Sequence, residues 1–270
     1  MAGLPTGSMA SQLVKNWRRF QTGLSFIVFG GIVLGLAFVA IPVSRWFTRD
    51  QGPDDLRTQR WIHRGARLFV GFMQGIGLMR LDRVDTDRLR ASGPLLVVAN
   101  HPTLFDLPVI LSLMPQADCI VSAAWAENVF LRRAAAAAGY ARNDDGSSVI
   151  RACLRRLESG RSVVIFPEGT RSPAGGLGAF HAGAAFVALR SGRDLVPVLL
   201  RCEPPTLSKG LSWYDAPASQ LHVRVRVGQP VPAQPLRYRG VTMPEAARRF
   251  TAELREVFLK GLDIADVGSA

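Results

Sequence analysis

Residues 94–106 read Pro94-Leu-Leu-Val-Val-Ala-Asn-His-Pro-Thr-Leu-Phe-Asp106. The run Leu95–Ala99 is short, apolar and β-branched at Val97 and Val98. It stops at Asn-His-Pro, as a buried strand does when it runs into a turn. His101 and Asp106 stand five residues apart, and on a continuous helix five steps would leave their side chains about 140° apart. They meet only if the chain turns between them. Pro102 pushes the residue before it into an extended geometry, and Pro108 suits the first turn of a helix that Asp106 would cap. Strand, loop and helix in that order place His101 just past the C-terminal end of a strand, where open α/β sheets gather their ligands.

The same texture continues along the chain. Cys119–Val121, Ser162–Phe166 and Leu195–Leu200 read as further strands, and 107–113, 128–138, 147–157 and 182–189 as helices between them. Such alternation predicts an α/β domain with a largely parallel sheet flanked by helices. Leu221–Val227 alternates strictly, with His222, Arg224 and Arg226 on one face, and reads as a strand with a wet, basic side. Residues 242–260 read as a closing amphipathic helix with Pro244 in its first turn.

The region before this domain is different. Residues 24–41 form an unbroken apolar run, close to the roughly 17–25 residues a membrane-spanning helix requires. No small-residue cleavage pattern follows it, so an uncleaved anchor is expected. Arginines 45, 49, 57, 60, 64 and 67 make the downstream flank the more cationic one, which keeps the rest of the chain on the cytoplasmic side. Residues 61–81 mix Arg64, Arg67 and Arg80 with apolar residues, as an interfacial amphipathic helix would. Gly31-x-x-x-Gly35 and Gly71-x-x-x-Gly75 are spaced for close helix approach, although such pairs are also common by chance. The expected organisation is therefore residues 1–81 as membrane-docking helices and 82–270 as a catalytic domain.

Composition constrains the partners. The formal net charge is +12 over 270 residues and 48% of residues are hydrophobic. That balance fits an anionic membrane, an acidic substrate or nucleic acid. Nucleic acid is disfavoured because the arginines lie beside apolar runs and no reader motif appears. Cys119, Cys153 and Cys202 are odd in number and show no C-x-x-C spacing, so neither a disulfide framework nor a zinc site is expected.

If Asp106 folds back onto one imidazole nitrogen of His101, it sets the tautomer and leaves the other nitrogen to take a proton from a hydroxyl. The plain alternative is a helix cap beside a polar turn residue. A second block, Ser162-Val-Val-Ile-Phe-Pro-Glu-Gly-Thr-Arg-Ser172, is again a strand that runs straight into a turn. Gly169 permits close backbone approach, Thr170 and Ser172 offer hydroxyls, Arg171 offers a planar fork for phosphate, and Glu168 could hold the arginine or bond a ligand hydroxyl. Here the plain alternative is a Pro-Gly turn with a local ion pair. Two such loops together imply deprotonation of a hydroxyl on a phosphate-bearing molecule.

Asn100-His-Pro-Thr-Leu-Phe-Asp106 followed by Phe166-Pro-Glu-Gly-Thr-Arg-Ser172, with Val196-Pro-Val198 on the next strand, resembles the 1-acylglycerol-3-phosphate O-acyltransferase family of glycerolipid enzymes. The resemblance covers roughly residues 80–230. It implies that His101 is the general base, that Asp106 orients it, and that the acyl donor is the thioester of acyl-CoA or acyl-carrier protein. No cofactor, metal or covalent enzyme intermediate is then needed. It further implies that Glu168, Gly169, Thr170 and Arg171 bind the phosphate and glycerol end of a lysophospholipid acceptor, and that the chain is a bacterial phospholipid-synthesis enzyme working at the inner (cytoplasmic) membrane. The family's intervening block, a glycine-led strand ending in a phosphate-holding arginine, is replaced by Gly139-Tyr-Ala-Arg-Asn-Asp-Asp145. Arg142 is the substrate-binding arginine that the resemblance implies in this block, although it arrives early there and acidic residues stand where the cation is expected. Pro204–Tyr214 matches no general family block; with Asn100–Leu104 and Pro115–Cys119 it resembles the acyltransferases of bacterial aryl polyene pathways, which makes a pigment lipid the alternative acceptor. The interfacial reading of that loop puts Lys209, Trp213 and Tyr214 at the membrane surface. A metal-dependent phosphoesterase is disfavoured because His63, His181 and His222 sit in no paired spacing with His101 and Asp106. A non-catalytic lipid-binding protein is the reading from another class.

Overall fold

The computed structural model describes residues 6–47, 54–90, 93–121, 136, 138, 140–142, 146–173, 176–215, 217–234 and 238–267. Helix α1 (Thr6–Gly35) passes through a π turn (Leu36–Ala40) into α2 (Ile41–Phe47). The π turn ends two residues before Pro42. Proline has no N–H to give and crowds the carbonyl four residues back, so a widened turn is the local solution. Next come α3 (Asp54–Gly75), β1 (Met79–Val84), a 3₁₀ turn (Thr86–Arg90), β2 (Leu96–Ala99), α4 (Asp106–Leu113), β3 (Asp118–Val121) and β4 (Ala141–Arg142). The chain continues with α5 (Gly146–Glu158), β5 (Val163–Ile165), α6 (Gly183–Ser191), β6 (Leu195–Glu203), β7 (Leu221–Val227) and α7 (Met243–Val267).

The described strands form one seven-stranded sheet in the order β1-β7-β6-β2-β5-β3-β4. Every neighbouring pair is parallel except β6 with β7. The expected α/β architecture with a largely parallel sheet is therefore the architecture found. Alternation along β2 sends Val97 and Ala99 into a core shared with α3 and α4, and Leu96 and Val98 into a second core shared with α5, α6 and α7. Successive strand residues face opposite ways, so a sheet covered on both sides needs apolar residues at every position, as in parallel sheets generally.

Three expectations shift. The amphipathic segment expected over residues 61–81 ends as a helix at Gly75, and Met79 opens β1, so the boundary expected at 81/82 runs through a strand. Phe69, Val70 and Met73 of α3 are buried in the same core as β2 and α4, which gives the apolar side of that helix a protein partner. The glycine spacing, read as permitting close helix approach or as chance, does not mark where the helices meet: a Cβ at Gly31, Gly35, Gly71 or Gly75 would meet nothing within 4 Å. The close approach of α1 and α3 is at Gly65, where a Cβ would stand 3.0 Å from both Ile32 Cγ2 and Leu36 Cδ1. The helix expected over 128–138 lies outside the described residues apart from Ala136 and Ala138.

Candidate active site

The site is assembled by strand register. β2 and β5 are parallel with Val98 opposite Ile165. Three residues further on, that register sets His101 against Glu168, and the His101 backbone N–H donates to Glu168 Oε1 at 3.0 Å. On the other flank the side-chain amide of Asn100 exchanges two bonds of 2.8 Å with the backbone of Leu200 on β6. The amide thereby extends the β2–β6 ladder by one residue beyond the strand.

Of the two readings open from the sequence, the His101–Asp106 pair is the one formed. His101 Nδ1 lies 2.8 Å from Asp106 Oδ2. Asp106 is the first residue of α4, with Phe105 as its cap, and its carboxylate is 1% exposed. It also accepts from the Thr103 backbone N–H at 2.7 Å and from Thr103 Oγ1 at 3.0 Å. Thr103 Oγ1 accepts in turn from Phe105 N. Burial pushes the Asp106 carboxyl above its ordinary range, and the bonds and charge supplied by His101 and Thr103 oppose that rise. A carboxylate accepts only, so Nδ1 carries the proton and Nε2 presents its lone pair. The imidazole stacks on Phe166, with ring centroids 4.5 Å apart, and keeps 20% of its side chain exposed. His101 is pinned at its carbonyl as well, which accepts from Ser172 N at 2.7 Å.

Glu168 is placed differently from the expected ligand contact. It is 4% exposed, and its carboxylate accepts from His101 N, from Ser172 Oγ at 2.7 Å and from Gly178 N at 2.8 Å. A Cβ at Gly178 would come 2.7 Å from Glu168 Oε2, so only glycine lets the backbone approach this closely. Three donors from two loops leave Glu168 as a fastener that fixes the height of His101 over the sheet. Gly169 takes φ +65° with the ring of His181 against it, and it and Thr170 are exposed at the rim.

Arg171 reaches across the His101 loop. Its Nη1 donates to Leu207 O at 2.6 Å and Ser208 O at 3.4 Å, and Ser208 Oγ donates to Pro102 O at 2.9 Å. With Nη1 held by carbonyls, the fork edge formed by Nε and Nη2 is left for a bidentate anion. Arg142 is not brought to it. Its backbone pairs with Val121 on the edge strand β4, and β3 stands between β4 and β5. Two strand spacings, about 10 Å, thus separate Arg142 from the β5 loop, while the guanidinium of Arg171 points the opposite way. The side chain of Arg142 and residues 143–145 lie outside the described ones.

Thr103, Phe166, Gly178 and Ser208 were not expected in the site. Gly178 carried no signal, whereas Thr103 and Phe166 stand inside the two quoted blocks and Ser208 in the unexplained segment Pro204–Tyr214. That segment also touches α1: Tyr214 O accepts from Arg19 Nε at 2.9 Å, and a Cβ at Gly23 would lie 3.5 Å from the Trp213 ring. The three cysteines are free and buried, and burial holds the thiols of Cys153 and Cys202 up at about 12, which suits packing and not nucleophilic attack. Among the described residues no group of three or more His, Cys, Asp or Glu side chains has metal-holding geometry.

Comparison with known proteins finds similar chains and a similar fold. The acyltransferase family model matches residues 80–201. A chloroplastic 1-acyl-sn-glycerol-3-phosphate acyltransferase of Arabidopsis thaliana is 32% identical over 242 residues, covering 85% of this chain and 64% of that protein. A Helicobacter pylori protein of the same name is 27% identical over 180 residues, covering 64% of this chain and 71% of its own length. The crystal structure of the 1-acyl-sn-glycerophosphate acyltransferase PlsC from Thermotoga maritima superposes with a TM-score of 0.62 at 19% identity, over 94% of this chain and 97% of that one. The chain thus spans about two thirds or less of the length of the plant relatives it matches, 64% of the Arabidopsis protein and 36% of one from Brassica napus. Both sequence blocks lie inside the matched segment and stand at adjacent strand ends of the matching fold, and there the chain is similar to the acyltransferase family that the 1-acyl-sn-glycerol-3-phosphate acyltransferases represent.

Proposed function

We propose that the protein transfers a fatty acyl group from acyl-CoA or acyl-carrier protein to the free hydroxyl of 1-acylglycerol-3-phosphate. The single observation that supports this best is the 2.8 Å bond between His101 Nδ1 and the buried Asp106. It commits the open Nε2 to accepting a proton. In this reading Nε2 takes the hydroxyl proton as the acceptor oxygen attacks the thioester carbonyl carbon. The tetrahedral adduct then collapses, the C–S bond breaks, and the departing thiolate takes the proton back from Nε2, so the enzyme ends unchanged. The acceptor phosphate lies on the open edge of Arg171, with Gly169 and Thr170 offering room and a hydroxyl beside it. Glu168 positions His101 through its backbone.

The helix α1 supports work at a bilayer surface. The 33 residues Ser11–Val43 are long and apolar enough to cross a membrane. Yet α1 is held sideways on the domain: Arg18 Nη1 donates to Gly77 O at 2.6 Å, Phe26 packs on Phe105 with ring centroids 6.2 Å apart, and Phe29 packs on Phe69 at 5.1 Å. Gln21, Thr22 and Ser25 are buried on the inner side, and Leu13, Trp17, Phe20, Ile27, Leu34 and Phe38 are exposed at helical spacing on the outer side. In this reading the outer stripe sinks into one face of the bilayer and the arginine-rich flank keeps the domain on the cytoplasmic side of the inner membrane.

The test is transfer of labelled acyl groups from each donor to lysophosphatidic acid by the purified protein in mixed micelles, with His101→Ala alongside. Transfer that vanishes in a variant with unchanged thermal melting is the expected result. Turnover unchanged in His101→Ala refutes the mechanism. A folded wild type that transfers nothing refutes the acceptor and turns attention to other hydroxyl lipids, pigment lipids included.

A further inference from the structure

Arg171 is a single cation, and a phosphate monoester carries up to two negative charges. The other arginine expected to help, Arg142, stands on the far edge strand. The segment after β6 carries a cation, Lys209, next to the carbonyls that hold Arg171. Leu207 O and Ser208 O hold Arg171 Nη1, and Ser208 Oγ holds Pro102 O, the carbonyl next to His101. Lys209 follows Ser208 directly, between it and Gly210, whose φ is +89°. Leu207 itself takes φ +50°, a left-handed geometry that β-carbon residues adopt only when their surroundings enforce it. Leu207 and Ser208 are both buried, whereas Lys209 is exposed. The segment is thus fixed on either side of one outward-facing residue. Among the described residues Lys209 has no ion-pair partner. Its flexible four-carbon stem and three-donor ammonium suit a phosphate reached from the side, with Arg171 supplying the planar contact.

Resting on the acceptor reading above, we propose that Lys209 is the second cation of the acceptor's phosphate site, facing Arg171 across the opening beside His101. The site takes a phosphate monoester on a lipid acceptor, and the segment Pro204–Tyr214 is the loop that carries this specificity. Removing the ammonium weakens phosphate binding, whereas an arginine at the same place restores it.

The experiment has two arms. In uncharged detergent micelles, Lys209→Ala is expected to raise the KM for lysophosphatidic acid about tenfold with kcat held within about twofold, the scale of one charge-assisted hydrogen bond. Lys209→Arg is expected to recover most of that loss. In the second arm, which needs no turnover, the full-length protein is reductively methylated with ¹³C and the Lys209 signal is assigned by its absence in Lys209→Arg. That signal is expected to shift on adding lysophosphatidic acid and to stay in place with monoacylglycerol, which lacks the phosphate. An unmoved signal overturns the proposal, as does an unchanged KM in micelles. A loss seen only on anionic vesicles, in step with weaker vesicle binding, also overturns it and makes Lys209 a bilayer contact. A signal that shifts in a wild type unable to acylate lysophosphatidic acid upholds the phosphate site while refuting the acceptor reading.

Discussion

In the proposed mechanism Asp106 serves the chemistry at a cost to the fold. Its carboxyl is raised above the ordinary 3.8 because burial disfavours the charge. Between that value and the raised one the folded state holds more proton than the unfolded state does. Stability therefore falls as pH rises through that window and levels off above it. An asparagine fits the same contacts, with its oxygen accepting from His101 Nδ1 and Thr103 N and its amide turned to Thr103 Oγ1. Asp106→Asn is accordingly expected to gain melting temperature relative to wild type as pH is raised from about 4 to 7, while kcat falls by about 10²- to 10⁴-fold through loss of the charge that supports imidazolium. Melts and initial rates across that range check it; a melting difference that ignores pH, or that runs the other way, sinks the argument. The pair itself was legible from sequence because Pro102 and Pro108 fix where the chain turns and where the helix starts. The function of Glu168 was not. Its donors, His101 N and Gly178 N, are joined to it by register and a loop return, and a carboxylate in an edge loop looks the same whether it binds ligand or backbone.

At the scale of elements, apolar runs carried the strands well, since a sheet covered on both faces requires them. Leu221–Val227 was legible to the residue because its alternation has only one geometric meaning. The α3–β1 junction was not legible, because Ile76, Leu78 and Met79 continue the apolar texture of the helix into the strand while Gly77, at φ +70°, makes the break. Helix contact was misplaced for a similar reason: glycine spacing marks where helices can approach, whereas the partner's side chains decide where they do. Gly65 is the position that Ile32 and Leu36 of the α1 segment press against. Gly65→Leu is expected to cost about 1–3 kcal/mol by overpacking. Gly31→Ala and Gly35→Ala, with open space around them, are expected to be neutral or to stabilise by up to about 1 kcal/mol through helix propensity. Thermal melts in one detergent compare the three, and equal losses at all of them would show that the α1–α3 contact lies elsewhere.

Across the whole molecule the sheet sets distances that no single motif reveals. The seven-strand order puts His101 and Glu168 on neighbours and sends Arg142 to the rim, so the two intact blocks form one compact site from which Arg142 is excluded, and Arg171 reaches from it towards the segment after β6. The same layout leaves α1 as a shelf: its inner residues bond to the domain, its outer stripe is apolar, and Lys15, Arg18 and Arg19 sit among Trp17 and Phe20. With a formal net charge of +12, two forces act on docking and they separate by salt. Coulombic attraction to anionic lipid is worth about 1 kcal/mol per basic residue near the surface and is screened within about 10 Å at 0.1 M salt. Burial of the apolar stripe is insensitive to screening. Flotation with liposomes is therefore expected to show strong binding to anionic vesicles at low salt, falling by about tenfold or more towards 1 M, down to a floor that equals binding to zwitterionic vesicles and hardly changes with salt. Ile27→Asp is expected to lower that floor, because the carboxylate enters the stripe, and to leave the salt-dependent part in place. A floor unchanged by Ile27→Asp would remove α1 from the docking surface, and anionic binding indifferent to salt would remove the basic residues from it; in the proposed docking both respond.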